Sequence, residues 1–227
     1  MKNKDLFKIG ESIADEFIKK YEYPFEVLPN IEDIIYKIGN NLGDDYNLIN
    51  ENIWISKTVN IPTTVTIKGP CIIDHNAEIR PGAFIRGKAI IGKNSVLGNS
   101  CEIKNAILYD NVQVPHFNYV GDSILGNYAH MGAGSITSNV KSNKTNVVIK
   151  GDKNIETNLR KVGAFLGDNV EIGCNAVLNP GTIIGINTIV YPLTMVRGVI
   201  KENKIVKNMN NIINREDKWQ NYLELME

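Results

Sequence analysis

Residues 53–103 read IWISKTVNIPTTVTIKGPCIIDHNAEIRPGAFIRGKAIIGKNSVLGNSCEI, and within them Ile55, Ile61, Ile67, Ile73, Ile79, Ile85, Ile91, Leu97 and Ile103 recur at an unbroken spacing of six. Two residues before each stands a second, generally smaller or branched side chain: Ile53, Val59, Val65, Cys71, Ala77, Ala83, Ala89, Ser95 and Cys101. Neither the 3.6-residue period of a helix nor the two-residue alternation of a hairpin produces that spacing. A six-residue period is the signature of a parallel β-solenoid, in which each hexad supplies one short strand and one turn and three hexads close a triangular coil. One coil cannot bury its aliphatic column alone; stacked coils bury it between them.

The frame slips by one residue at Leu108, passes Val114 and Val120, slips again at Leu125 and continues to Met131 and Thr137. There it stops. Residues 140–162, VKSNKTNVVIKGDKNIETNLRKV, hold no hexad frame and many charges, and read as an excursion from the solenoid. Loops of more than about 12 residues in compact proteins are often functional. The frame resumes with Leu166, Ile172, Leu178, Ile184, Val190 and Val196, preceded at two residues by Ala164, Val170, Ala176, Thr182, Thr188 and Thr194. At about 18 residues per coil this predicts roughly seven coils.

Upstream, Leu6, Ile9, Ile13 and Phe17 fall at steps of three and four and predict an amphipathic helix over 4–20. Tyr23-Pro24-Phe25 and Pro29 break it. Asn30 is placed to cap a second helix with Glu32 and Asp33 in its first turn, Ile31, Ile34, Ile35 and Ile38 on one face, and Gly39-Asn40-Asn41 at its end. From Asn211 onward, Ile212, Ile213, Trp219, Tyr222, Leu223 and Met226 lie near helical spacing and predict a terminal helix. The expected organisation is a mainly β chain: a helical appendage over 1–50, a solenoid over 51–200 with the excursion at about 140–162, and a helical tail over 201–227.

Of 227 residues, 43% are hydrophobic and 22% charged, with 25 Lys and Arg against 25 Asp and Glu. A net charge of zero offers no bulk attraction to nucleic acid or to an anionic membrane, so an anionic ligand needs a local cluster of cations. The N-terminus carries acids where a secretion signal has an apolar core, and no run approaches the roughly 18 apolar residues of a membrane span. A cytoplasmic location is expected. Cys71, Cys101 and Cys174 are odd in number and lack C-x-x-C spacing, which argues against a disulfide framework and against a zinc site.

The stretch around residues 116–139 carries the chemistry. HFNYVGDSILGN (116–127) followed by GAGSITSN (132–139) resembles the acetyltransferase domain of the bacterial bifunctional glucosamine-1-phosphate acetyltransferase and N-acetylglucosamine-1-phosphate uridyltransferase, whose signature runs His-x-x-Tyr-x-Gly-Asp and then Gly-Ala-Gly-Thr-Ile-Thr-x-Asn. RPGAFIRG (80–87) and GNSCEIKNA (98–106) resemble its RPGA and E-x-K segments. The likeness covers residues 78–139 well and 163–197 more loosely. It is to that domain alone, since the glycine-rich nucleotide-binding signature of the uridyltransferase half does not occur in the sequence.

The resemblance implies a left-handed coil, a homotrimer with acetyl-CoA sites between neighbouring solenoids, and metal-independent acetyl transfer to an amino-sugar 1-phosphate. It implies that His116 is the general base; an imidazole with a pKa near 6.5 is available for that task near neutrality. It further implies Lys104 and Tyr119 at the sugar phosphate and His130 at a substrate position that is Asn in the family. Asn139 falls near the acetyl group, and Ala133, Cys174 and Pro192 fall along the cofactor. For the phosphate arginine the motif points to Arg80, 24 residues before Lys104, whereas coil counting points to Arg86, 18 before and one coil beneath. Arg86 is preferred and Arg80 stands second. Val140 replaces a Tyr of the family pattern, Lys141 an Asp and Cys174 a Ser, and the excursion is longer than its family counterpart. Glucosamine-1-phosphate and a relative such as galactosamine-1-phosphate therefore both stand as acceptors.

Two other readings compete. His75, His116 and His130 invite a zinc site shared between subunits, as in solenoid carbonic anhydrases, but they are separated by 41 and 14 residues with no close pair. A non-catalytic sugar-phosphate-binding or scaffold subunit would keep the pocket and lose the transfer.

Overall fold

The computed structural model describes residues 1–10, 12–50 and 52–215. Its body is a three-sided stack of parallel strands that matches a left-handed β-helix. Each side has its own sequence character, because the residue between the two inward columns of a hexad points outward. One side, here the tyrosine face, runs through Phe84, Glu102, Tyr119, Ile136, Val177 and Met195. A second, the histidine face, runs through Glu78, Val96, Gln113, His130, Glu171 and Ile189. The third runs through Trp54, Ile72, Ile90, Ile107, Ile124, Phe165 and Ile183. It is apolar outside as well as inside, and all seven of those side chains are buried.

That third side is covered by the appendage. The helix Ile31–Gly39 turns Ile31, Ile34, Ile35 and Ile38 inward and lies against the rungs Cys71–Ile73, Ala89–Ile91 and Glu102–Leu108. Asn30 precedes this helix without capping it through its side chain, which donates to Glu26 O (3.0 Å) within the 3-10 turn Pro24–Asn30. The helix expected over 4–20 is two short ones, Asn3–Leu6 and Asp15–Ile18. Tertiary bonds interrupt it: Asp168 N–H donates to Leu6 O (2.9 Å), Lys8 N–H donates to the Asp168 carboxylate (2.7 Å), and Phe7 stacks on Tyr109 at 5.1 Å. Gly10, at φ 136°, completes the break.

The stack ends differently from the expected tail. Lys204–Asn208 adds a further rung to the histidine face, with Ile205 and Val206 beside Ile189 and Val190, and Asn211–Asn214 folds back antiparallel on it. Residues 201–215 are thus not helical; an added rung buries Ile205 and Val206 and occupies an otherwise open sheet edge. Trp219, Tyr222, Leu223 and Met226 lie outside the described residues. Around the stack, left-handed backbone recurs at one corner in Asn76, Asn94, Asn111, Asn169, Asn187 and Asn203, a residue type that tolerates this conformation. Their amides bond upward, Asn94 to Asn111 (3.3 Å) and Asn169 to Asn187 to Asn203 (3.2 and 3.1 Å).

Buried acids line the seam between appendage and solenoid. Asp74, Asp110 and Asp168 are all nearly inaccessible. Burial raises the Asp110 carboxyl to about 6, partly opposed by a hydrogen bond from Lys93 N–H and reinforced by Asp74. The folded chain holds that proton up to about pH 6, while an unfolded aspartate loses it near pH 3.9. Stability from this group therefore falls as pH rises between those values and stays lower above them. Asp110→Asn, which keeps the acceptor for Lys93, is expected to stabilise the chain at pH 8 by up to about 3 kcal/mol, with the gain vanishing near pH 4. Denaturant melts at the two pH values measure it.

Candidate active site

Two groups of side chains stand on adjoining faces, either side of the corner that Phe117 turns at φ 53°. On the histidine face, the ends of successive rungs form a column. His116 pairs with Asn99 beneath it, and Ala133, Cys174 and Pro192 follow one coil apart. Gly134 N–H donates to His116 O (3.0 Å), Asn175 N–H to Ala133 O (2.9 Å) and Leu193 N–H to Cys174 O (2.9 Å), which ties the four levels together. With strands about 4.8 Å apart, the column from His116 to Pro192 is about 15 Å long.

His116 is exposed, and its ring makes no hydrogen bond among the described residues. Its backbone is held from inside by Asn118, which is 3% exposed. The Asn118 carbonyl accepts from His116 N–H (3.0 Å), and its amide donates to Gly132 O (2.8 Å) and Ser135 O (3.1 Å). A buried polar side chain with every group bonded locks the corner that presents the imidazole.

On the tyrosine face the organising residue is Asp122, at left-handed φ 50° where the strand turns toward the covered side. Its nearly buried carboxylate accepts from Lys104 Nζ through both oxygens (3.2 Å each), from Asn105 (2.9 Å) and from Asn139 (2.5 Å). The Asn139 amide also donates to the Tyr119 phenol oxygen (3.1 Å). Tyr119 lies flat over Gly121, where a Cβ would stand 2.4 Å from that oxygen. The backbone N–H of Gly121 is satisfied by Thr137 Oγ1 (3.0 Å), a hydroxyl in an otherwise aliphatic inward column.

Arg86 joins this group. Pairing of Ile85 with Ile103 and of Gly121 with Lys104 puts Arg86, Lys104 and Gly121 in one column, and Arg86 bonds to Glu102 (2.5 Å). That hydrogen bond raises the guanidinium pKa further, so the group stays charged. Burial raises the Tyr119 pKa, opposed by the bond from Asn139 and assisted by the charges of Asp122 and Glu102, so the phenol is a neutral donor near neutrality. Two cations, a phenol and an amide, with Glu102 and Asp122 as resident counter-ions, make a site that a phosphate can enter by exchange.

Two predicted residues stand elsewhere in this chain. Arg80 is on the histidine face, bonded to Glu78 (2.8 and 3.4 Å), outside the Lys104 column. His130 stands at the opposite end of its rung from the His116 column and bonds to Glu171 (2.9 Å). His75 bonds to Asp74 (2.7 Å) and Tyr46 (3.1 Å). Among the described residues no group of three or more His, Cys, Asp or Glu side chains is placed to hold a metal ion, and no helix is long and apolar enough to cross a membrane. Asp122, Asn118 and Glu102, which sequence reasoning did not select, hold the candidate side chains in place. For Asp122 the signal was the Gly-Asp ending of the HFNYVGD motif.

The site stands on a hexapeptide-repeat β-helix, and the chain is similar to known proteins over most of that coil. A family described as the GMPPB C-terminal domain matches residues 67–160. The bifunctional protein GlmU of Methanococcus aeolicus is 34% identical over 198 residues, covering 77% of this chain and 48% of that protein. A bifunctional sugar-1-phosphate nucleotidylyltransferase/acetyltransferase of Sulfurisphaera tokodaii is 32% identical over 179 residues, covering 67% of this chain and 44% of its own. Among solved structures, a UDP-N-acetylglucosamine acyltransferase from Campylobacter jejuni aligns with 68% of this chain and 65% of its own at 16% identity, with a TM-score of 0.39. The chain is a homologue of the GlmU proteins and spans about half the length of the curated relatives it matches, in line with their acetyltransferase domain.

Gly121→Ala tests the Tyr119 placement. The new methyl must push the phenol off Asn139, so affinity for inorganic phosphate at the Arg86–Lys104 cluster is expected to fall about tenfold while the melting temperature moves by little. Calorimetric titration beside a thermal melt reads both.

Proposed function

We propose that this chain transfers the acetyl group of acetyl-CoA to the amine of an amino-sugar 1-phosphate, glucosamine-1-phosphate or a close relative. The observation that supports this best is the His116–Ala133–Cys174–Pro192 column standing one corner away from the Arg86, Lys104, Tyr119 and Asn139 cluster. Relatives described as GlmU and as sugar-1-phosphate nucleotidylyltransferase/acetyltransferase support the same chemistry.

In this reading the sugar phosphate exchanges with Glu102 and Asp122 at Arg86 and Lys104, with Tyr119 and Asn139 donating to it or to the acetyl oxygen. The donor lies along the column, its thioester near Ala133, whose backbone N–H polarises the carbonyl. His116 takes a proton from the amine as the nitrogen attacks. A C–N bond forms, the C–S bond breaks, and the proton passes on to the departing CoA thiolate. Acetyl transfer of this kind draws on no metal.

Cluster and column face different ways on one chain, which supports a homotrimer in which neighbouring copies complete each site. The exposed apolar residues Phe117, Ile136, Val177, Leu193 and Met195 on and beside the tyrosine face suit such contacts. The same reading places the protein in the cytoplasm, where acetyl-CoA is available.

The test is release of CoA thiol from acetyl-CoA with glucosamine-1-phosphate. His116→Ala is expected to slow it by about 100-fold or more with an unchanged melt, because the ring holds nothing else. Lys104→Ala is expected to raise KM more than it lowers kcat. An undiminished rate in the His116 variant would remove the base assignment. Absence of release with every amino-sugar phosphate would favour a binding or scaffold role.

A further inference from the structure

The excursion is strongly basic and firmly attached. Residues 140–162 carry Lys141, Lys144, Lys150, Lys153, Arg160 and Lys161 against Asp152 and Glu156, in a protein of zero net charge. Its root is closed by Val162 N–H on Asn139 O (3.0 Å) and by pairing of Val140 with Lys161. Its hairpin, Val148–Ile149 against Ile155–Glu156, is pinned to the upper coils, with Val147 and Ile149 buried. Val199 N–H donates to Lys150 O (2.9 Å). Gly181 and Gly198, at φ 78° and 81°, leave the room: a Cβ at the first would meet Val147 Cγ1 at 2.8 Å, and at the second Lys150 O at 2.6 Å.

Between hairpin and solenoid lies a cavity of about 390 Å³ with Ser138, Lys141, Asn143, Lys150, Asn179 and Arg197 in its walls and no carboxylate. The Lys150 and Arg197 side chains have no hydrogen-bond or ion-pair partner among the described residues. Among the described residues Lys141 bonds only to neutral oxygens, Thr145 Oγ1 (2.7 Å) and Asn146 O (3.0 Å). Every cation of the Arg86–Lys104 cluster has a resident carboxylate, and here none does. Three cations lining one cavity with no carboxylate in its walls favour an entering anion.

We propose that this cavity is a second anion site, which takes the phosphate or diphosphate group of a ligand. The register places it apart from the first. Ser138, Asn179 and Arg197 continue upward the column that begins with Arg86, Lys104 and Gly121. Lys104 and Arg197 are four strands apart, about 19 Å between backbones, and Lys104 Nζ is held on the Asp122 carboxylate. The two sites share a hinge point, since Asn139 both roots the excursion and bonds Asp122 and Tyr119. The inference stands independently of acetyl transfer.

Calorimetric titration of the full chain with inorganic pyrophosphate tests it. The tightest site, one per chain, is expected at this cavity, weakened about tenfold or more in Arg197→Ala and in Lys150→Ala and by no more than about twofold in Lys104→Ala and Lys144→Ala. Melts without ligand should match the native chain, as neither Arg197 nor Lys150 bonds anything through its side chain among the described residues. No saturable binding, a larger loss in Lys104→Ala than in Arg197→Ala, or an equal loss in Lys144→Ala would overturn the proposal, the last showing diffuse attraction. Displacement of pyrophosphate by acetyl-CoA, by glucosamine-1-phosphate or by UDP identifies the source of the phosphate. Displacement by none reduces the cavity to unspecific ion binding and overturns it. A chain that binds pyrophosphate there yet transfers no acetyl group would refute the proposed function and leave this site intact.

Discussion

Register between coils is the constraint on which the rest depends. Each outward side chain belongs to one face only because its two neighbours point inward, and a slip of one residue would exchange the two sets. The slips in the hexad frame at Leu108 and Leu125 are therefore absorbed at corners, where a residue can be gained or lost without breaking a rung. Ile107 still pairs with Ile124, and Leu108 with Leu125. Because register holds, His116, Ala133, Cys174 and Pro192 line up although they are scattered along the chain, and so do Arg86 and Lys104.

The interior was legible because a solenoid writes it locally, one aliphatic and one small side chain per hexad. Coil counting also reached Arg86, since adding 18 residues is a statement about neighbours in space. His116, Lys104, Tyr119 and Asn139 could be named through a motif. What could not be read was whatever depends on distant partners. The segment 4–20 has helical spacing, yet Asp168 takes its backbone at Leu6 and Lys8 and Phe7 is stacked on Tyr109. Near Asn211 the apolar spacing suits a helix, but the open edge beyond Val190 recruits two strands. Asp122 closes the Gly-Asp motif, but the gathering of Lys104, Asn105 and Asn139 at its left-handed corner depends on neighbouring coils.

Charge is distributed with the same economy of position. The histidine face pairs its charges outward, Arg80 with Glu78 and His130 with Glu171. The tyrosine face holds Arg86 and Lys104 beside the carboxylates of Glu102 and Asp122. The covered side buries acids at its edge under the appendage, where burial of Asp110 and Asp168 favours their protonated forms. A zero net charge thus conceals three electrostatic environments on one prism.

The excursion leaves after Asn139 and returns before Gly163, and the lattice closes across the gap as though it were absent. Leu125 pairs with Leu166, and Ile124 with Phe165, in the spacing used everywhere else. A coil built this way is a ruler with sockets: its tick marks are set by the inward columns, and each corner is a port where sequence can be inserted without moving any tick. In such an architecture chemistry and scaffold can change separately, one loop at a time, while the distances between the residues on the faces are preserved.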